Sequence, residues 1–140
     1  MLAGNPIMTG IRSSLVGGSI ALTAALVLAV VANAASSRQT IITCPFLEQG
    51  RVTFAVPATL GAMPKEIDFD YPAKATRFSF RDGNLVLVAM DEREPSRVRI
   101  VISAQRDNAS GAYAGQIFVD MGGNQLMLHN GPVRCTVGPG

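Results

Sequence analysis

The sequence predicts an all-β domain, a small antiparallel barrel or sandwich of about eight strands, preceded by an N-terminal hydrophobic helix. Short segments in which apolar and polar residues alternate follow one another through residues 38–137. The chain has 14 glycines and 8 prolines, a composition typical of turn-rich β proteins. Two cysteines lie near the ends of this region, so a bond between them would make its first and last strands neighbours.

The N-terminal segment has the three parts of a secretory signal peptide. Arg12 precedes an uncharged apolar stretch over residues 15–32, and the small-residue sequence Ala32-Asn33-Ala34 follows. We therefore expect residues 1–34 to be a signal peptide that is cleaved after Ala34. Residues 35–140 would then be an exported β domain, in the periplasm or outside the cell.

The first strands come from three segments whose residues favour extended structure. Residues 38–44 and 51–56 are rich in Thr, Ile and Val, and an irregular loop follows them. From Glu66 to Tyr71 acidic and apolar residues alternate strictly, which predicts a third strand with its apolar side chains facing inward. Pro72 ends that strand.

The clearest hairpin runs through residues 76–90. Asp82-Gly83 fits a two-residue type I′ turn, in which both central residues need a positive φ angle. Such a turn pairs Phe80 with Leu85 and Phe78 with Leu87. The four apolar side chains then share one face and fix the register.

Residues 97–104 form the next strand of the predicted meander, with its isoleucines facing inward. Arg97 and Arg99 then point outward, on a strand close to the one that carries Arg77 and Arg81. A strip of arginines favours contact with an anion or a carboxylate, so Arg97 and Arg99 are candidate binding residues. Scattered surface charge is the alternative interpretation.

The last two strands are predicted on either side of Gly122-Gly123. These glycines indicate a tight hairpin that follows a strand over residues 112–120. Its register would pair Val119 with Leu126 and Ile117 with Leu128. Asn130-Gly131-Pro132 would then turn the chain into a final strand over residues 133–137.

Cys44 and Cys135 are the two cysteines of the chain. In an oxidising compartment such a pair indicates a disulfide, and only one connectivity exists. The bond would close a loop of about 90 residues and stabilise the fold by about 4.5 kcal/mol at most.

Composition and motifs argue against several classes of function. Twelve Lys and Arg against ten Asp and Glu give a net charge of +2 without a basic run, whereas a nucleic-acid binder needs a basic patch. His129, the one histidine, has no partner indicated by spacing. Glu66, Asp68 and Asp70 could hold a hard cation, but a solvated strand face explains them without a metal. We expect no catalytic site, no metal and no cofactor.

A short motif lies in the turn before the strand at residues 112–120. Ser110, Gly111, Ala112 and Tyr113, between an early and a late cysteine, resemble the Ser-Gly-Ala-(Arg/Lys)-Tyr loop of the periplasmic inhibitors of C-type lysozyme. The basic residue between Ala and Tyr is missing here, and no Lys-Gly element of that family is evident. The resemblance implies that Ser110, Gly111 and Tyr113 belong to a binding loop that enters the lysozyme cleft.

Together these features predict a non-catalytic binding module of the cell envelope with a protein partner, and a wall-degrading hydrolase is the specific candidate. The alternative is an accessory subunit of a membrane assembly, anchored by an uncleaved helix over residues 15–35. That stretch is just long enough to span a bilayer and would leave the β domain outside the cytoplasm. A small secreted enzyme is the third possibility, and it would need a pocket with perturbed titratable groups.

Overall fold

The computed structural model describes residues 38–140, which form eight strands and no helix. The strands make one antiparallel sheet in the order β3-β2-β1-β8-β7-β6-β5-β4, which curls into a nearly closed barrel. The all-β prediction is thus confirmed, and of the two predicted architectures the fold is a nearly closed barrel and not a sandwich. The strands are β1 Thr40–Phe46, β2 Gly50–Ala55, β3 Ile67–Asp68, β4 Ala73–Arg81, β5 Asn84–Asp91, β6 Val98–Arg106, β7 Tyr113–Asp120 and β8 Leu128–Pro139.

The predicted signal peptide or anchor, and its boundary at Ala34, lie outside the described residues. Within residues 38–140, no helix is long and apolar enough to cross a bilayer.

The β4–β5 hairpin forms as its sequence predicts. Asp82 and Gly83 have φ angles of 52° and 73°, which is the left-handed pair that a type I′ turn requires. Phe80 pairs with Leu85 and Phe78 with Leu87. Alternation along β5 buries Leu85 and Leu87 completely, while their neighbours on the strand face outward. A local turn signal and the apolar pattern therefore agree, and the register follows from both.

The disulfide between Cys44 and Cys135 is present and joins β1 to β8, as predicted. Thr43 pairs with Thr136, so the two cysteines stand opposite each other on neighbouring strands. Both are fully buried in the apolar core. The bond closes a loop with a sequence separation of 91, which ties the start of the described chain to its end.

The barrel has a seam where the two ends of the sheet, β3 and β4, approach each other. Rings rather than a strand ladder fill this seam: Phe54 of β2 meets Phe78 of β4 edge-on, with their centroids 5.8 Å apart. The predicted third strand over Glu66 to Tyr71 shrinks to two paired residues, which pair with Thr53 and Phe54. It ends early because the next aromatic ring, Phe69, packs against Phe46, 6.1 Å away.

The prediction for the β7–β8 connection is wrong. Val119 pairs with His129 and Ile117 with Gly131, so the link spans residues 121–127 instead of a tight turn at Gly122-Gly123. The predicted turn at Asn130-Gly131-Pro132 is likewise absent, because these residues lie inside β8. The physical reason is Asp120, whose carboxylate holds both ends of the wider loop, as described below.

Loss of the disulfide should weaken the barrel without changing its topology. For the Cys44→Ala/Cys135→Ala variant we expect the free energy of unfolding to fall by about 3–4.5 kcal/mol, because the unfolded chain regains the entropy of a long open loop. Urea unfolding followed by circular dichroism measures this. An unchanged urea midpoint would show that the bond carries no stability.

Candidate functional site

A β-bulge in β6 determines where its arginines go. Ala89 pairs with Ile100 but Met90 pairs with Val98, so Arg99 is an extra residue without a partner in the ladder. The bulge turns its side chain inward, and Arg99 is only 4% exposed. The prediction that Arg99 points outward is therefore wrong.

Arg99 is surrounded by acceptors from three parts of the chain. Its guanidinium forms an ion pair with the Asp91 carboxylate at the end of β5 and lies 3.7 Å from that of Asp120 at the end of β7. It also donates to the backbone carbonyls of Asp120 and Gly122. The Tyr71 ring covers it, with 5.2 Å from the guanidinium carbon to the ring centroid. The desolvation cost of burying the Arg99 charge is thus offset by ion pairs and hydrogen bonds.

Arg97 completes the cluster from the start of β6. Its Nε donates to Asp120 Oδ2 at 2.5 Å, and its side chain is 11% exposed. Its terminal nitrogens donate to the carbonyls of Gly122, Gly123 and Gln125 in the β7–β8 loop. Arg97 is therefore occupied within the molecule, in contact with the loop backbone.

Asp120 is the centre of the arrangement and is completely buried. Its Oδ1 accepts hydrogen bonds from the amides of Gly122 at 2.9 Å and Met127 at 3.2 Å, which closes the loop at both ends. Burial opposes ionisation, but the bonds from Arg97 and the two amides outweigh it and lower the pKa of Asp120 to about 2. The carboxylate therefore stays charged at any physiological pH.

Asp91 plays the matching part in the β5–β6 link. Its Oδ1 accepts from the amides of Arg93 at 2.7 Å and Glu94 at 3.2 Å, and its other oxygen takes the Arg99 ion pair. The Arg93 amide is the main cause of a lowered pKa of Asp91, and burial opposes it. We call Asp91, Arg97, Arg99 and Asp120 the ion cluster.

One donor of the ion cluster stays unsatisfied. Arg99 Nε is buried and has no hydrogen-bond partner among the described residues. An unpaired buried donor costs stability, so the cluster is not optimised for stability alone. The cluster instead fixes the position of the loop over residues 121–127, because three of its carbonyls and two of its amides bond to side chains of the cluster.

The loop that the cluster fixes and the first residue of β8 display apolar side chains to solvent. Leu126 is 68% exposed, Met127 58% and Leu128 56%. The antiparallel order places the β1–β2 and β7–β8 links at the same end of the barrel, and there Leu47 is 57% exposed. Contact between Phe46 and His129, with ring centroids 6.0 Å apart, connects the two links. We call Leu47, Leu126, Met127 and Leu128 the apolar rim.

The motif residues Ser110, Gly111 and Tyr113 lie at the opposite end, in the β6–β7 link. Ser110 Oγ donates to Asp107 Oδ2 at 2.9 Å and accepts from Arg134. Gly111 has a φ of 73° and serves the turn, and Tyr113 is 8% exposed with its ring 5.1 Å from Phe80. The structure thus separates this motif from Arg97 and Arg99. Binding roles for these residues stay predictions.

Among the described residues, the other candidate groups do not come together in one site. Glu66, Asp68 and Asp70 are exposed, and residues 38–140 contain no cluster of His, Cys, Asp and Glu that could hold a metal ion. A groove of about 970 Å³ lies at the end opposite the apolar rim, between β2, β3 and the link over residues 56–66. Its lining is mixed, with Phe54 and Met63 beside Lys65 and Glu66.

Comparisons of the chain with known protein families, with curated proteins and with solved structures found no match.

The ion cluster gives a prediction for Asp120. Replacement by Asn leaves buried Arg99 and largely covered Arg97 short of negative charge, so we expect Asp120→Asn to lower the free energy of unfolding by about 3–5 kcal/mol. Asp68→Asn, at an exposed carboxylate, is the matched control and should change little. Urea unfolding at pH 7 measures both. Equal midpoints for the two variants would contradict a central role for Asp120.

Acid should act through the same group. The ordinary pKa of 3.8 falls to about 2 in the folded state, so the stabilisation from ionised Asp120 is complete above about pH 5 and is lost as the pH falls towards 2. Asp91 and Asp107 shift in the same direction. Thermal unfolding between pH 5 and pH 2 should show a falling midpoint, less steep in Asp120→Asn. A midpoint independent of pH would contradict this account.

Proposed function

We propose that the β domain is a non-catalytic binding module of the cell envelope, and that the apolar rim is the surface that docks on a protein partner. The observation that carries this proposal is the exposure of Leu126 and Met127 on a loop fixed by the ion cluster, with exposed Leu128 beside them at the start of β8. Exposed apolar patches with polar residues beside them mark interaction sites. Here the neighbours in the chain are exposed Glu48, Asn124 and Gln125.

The energetics of the loop support binding rather than stability. Three buried charges and the largely covered charge of Arg97 carry a desolvation cost, which well-packed apolar residues at the same places would avoid. Apolar residues in solvent give no stability to the isolated domain. A loop held in one conformation, however, loses little entropy when a partner covers it. We therefore infer that the ion cluster preorganises the loop so that the apolar rim can contact a partner.

Export is part of the proposal and is supported by the disulfide. A structural bond between Cys44 and Cys135 suits an oxidising compartment such as the periplasm or the extracellular space. The N-terminal signal sequence is the second support, since it would deliver the domain there. We therefore place the partner in the envelope, and a wall-degrading hydrolase of the lysozyme type is the first one to test.

Capture by matched variants tests the proposal. The tagged full chain, expressed in its own envelope, should retain a partner that Leu126→Ser/Met127→Ser does not retain. Each buried side chain of this size contributes about 1.5–3 kcal/mol, so the double change should weaken binding by a hundredfold or more. Leu60→Ser is the control, because Leu60 is 80% exposed at the opposite end of the barrel.

Two results would contradict the proposal. One is a captured partner that both variants retain equally, which would place the interface elsewhere. The other is a wild-type chain that captures no envelope protein, and unfolding curves establish that each variant compared with it is folded. For the specific candidate, lysozyme activity is assayed with each purified variant, and no inhibition by the wild type would remove that partner class.

A further inference from the structure

The free edge of β4 is a second surface, independent of the apolar rim. β4 pairs with β5 on one side only, and on its other side the sheet ends. An unpaired strand edge offers a row of backbone donors and acceptors to any extended chain. This edge lies at the seam of the barrel.

The hairpin geometry shows which backbone groups are free. Residues that flank a two-residue turn form a hydrogen-bonded pair, here Arg81 with Asn84, and bonded and non-bonded pairs then alternate along the strands. Phe78 and Phe80 fall at non-bonded positions. Their N–H and C=O groups therefore point away from β5, towards the seam.

A cavity of about 460 Å³ lies along this part of the edge. Its walls are β4 from Arg77 to Arg81 on one side and the link over residues 56–62 on the other, with Val86 at its margin. Space for a further chain thus exists beside the backbone groups that are free to bind it.

The charge on the β4 edge indicates which kind of peptide segment would bind there. Arg77, Ser79 and Arg81 alternate with Phe78 and Phe80 and so share the outer face of β4. Arg81 has a weak pair, 3.9 Å from exposed Asp82, and Arg77 forms no ion pair within residues 38–140. Four residues of strand separate the two guanidinium groups by about 13 Å along the edge.

We infer that this edge binds an extended acidic segment of another protein by strand addition. Carboxylates at positions i and i+4 of the segment face Arg81 and Arg77, and a small polar residue at i+2 faces Ser79. Small apolar residues at i+1 and i+3 point into the seam beside Phe78 and Phe80. Main-chain bonds supply affinity and the arginines supply specificity.

A segment of similar character already lies at the seam, on its other side. Its own strand at the seam, β3, belongs to the alternating sequence Glu66-Ile67-Asp68-Phe69-Asp70, in which exposed acids alternate with half-buried apolar residues. Only Ile67 and Asp68 of it are paired, and they are paired with β2. The edge of β4 therefore remains without a strand of matching character.

A synthetic peptide with the central sequence Glu-Val-Ser-Val-Glu tests the inference on the full chain by fluorescence polarisation. We expect saturable binding that weakens with salt and that falls at least tenfold for Arg77→Glu/Arg81→Glu. A peptide with both Glu replaced by Lys should bind that variant better than it binds the wild type. Arg51→Glu, at an exposed arginine of β2, should bind the acidic peptide as the wild type does.

A third peptide separates strand addition from charge attraction alone. Methylation of the backbone nitrogens that face β4 removes the main-chain bonds and keeps the charge, and it should abolish binding. The inference is overturned if the methylated peptide binds equally or if the charge reversal has no effect. It is also overturned if the wild type sediments as a dimer and Arg77→Glu/Arg81→Glu sediments as a monomer, because a second copy of the chain would then occupy this edge. Leu126→Ser/Met127→Ser should bind the peptide normally, so the result is independent of the apolar rim.

Discussion

Two buried aspartates, buried Arg99 and largely covered Arg97 at one end of the barrel decide the shape of that end. Arg97 and Arg99 lie on β6, and Asp91 and Asp120 end the strands on either side of it, so the cluster joins three neighbouring strands. Removal of any one charge would leave the others buried without compensation. The β7–β8 loop exists in its wide form because this cluster holds its backbone, and the apolar rim depends on that loop.

The sequence reveals those features that local chemistry fixes. The β4–β5 hairpin follows from Asp82-Gly83 and the alternating apolar pattern, and the two cysteines have only one way to pair. The sequence does not reveal the β7–β8 register, because Gly122-Gly123 taken alone is typical of a tight turn. Its actual form depends on Arg97, 23 residues before Asp120. An Asp directly before a Gly-rich loop is the one local signal that could have suggested an anchored turn.

The candidate site was only partly visible in the sequence for the same reason. Arg97 and Arg99 stand out by their spacing, but alternation predicts them outward, and the bulge that buries Arg99 has no recognisable local signature. The arginine strip therefore divides into two pairs with different roles. Arg97 and Arg99 shape a loop, whereas Arg77 and Arg81 remain on the outer face of the free edge of β4.

Hydrogen exchange at the amides of Gly122 and Met127 tests whether the ion cluster holds the β7–β8 loop in place. Both amides lie in a surface loop and bond to the buried Asp120 carboxylate. We expect slow exchange in the wild type and fast exchange in Asp120→Ala, which removes the acceptor oxygen, with the β5 and β6 amides still protected in both. Fast exchange of these two amides in the wild type would mean that the loop is not held, and the link between the ion cluster and the apolar rim would be lost.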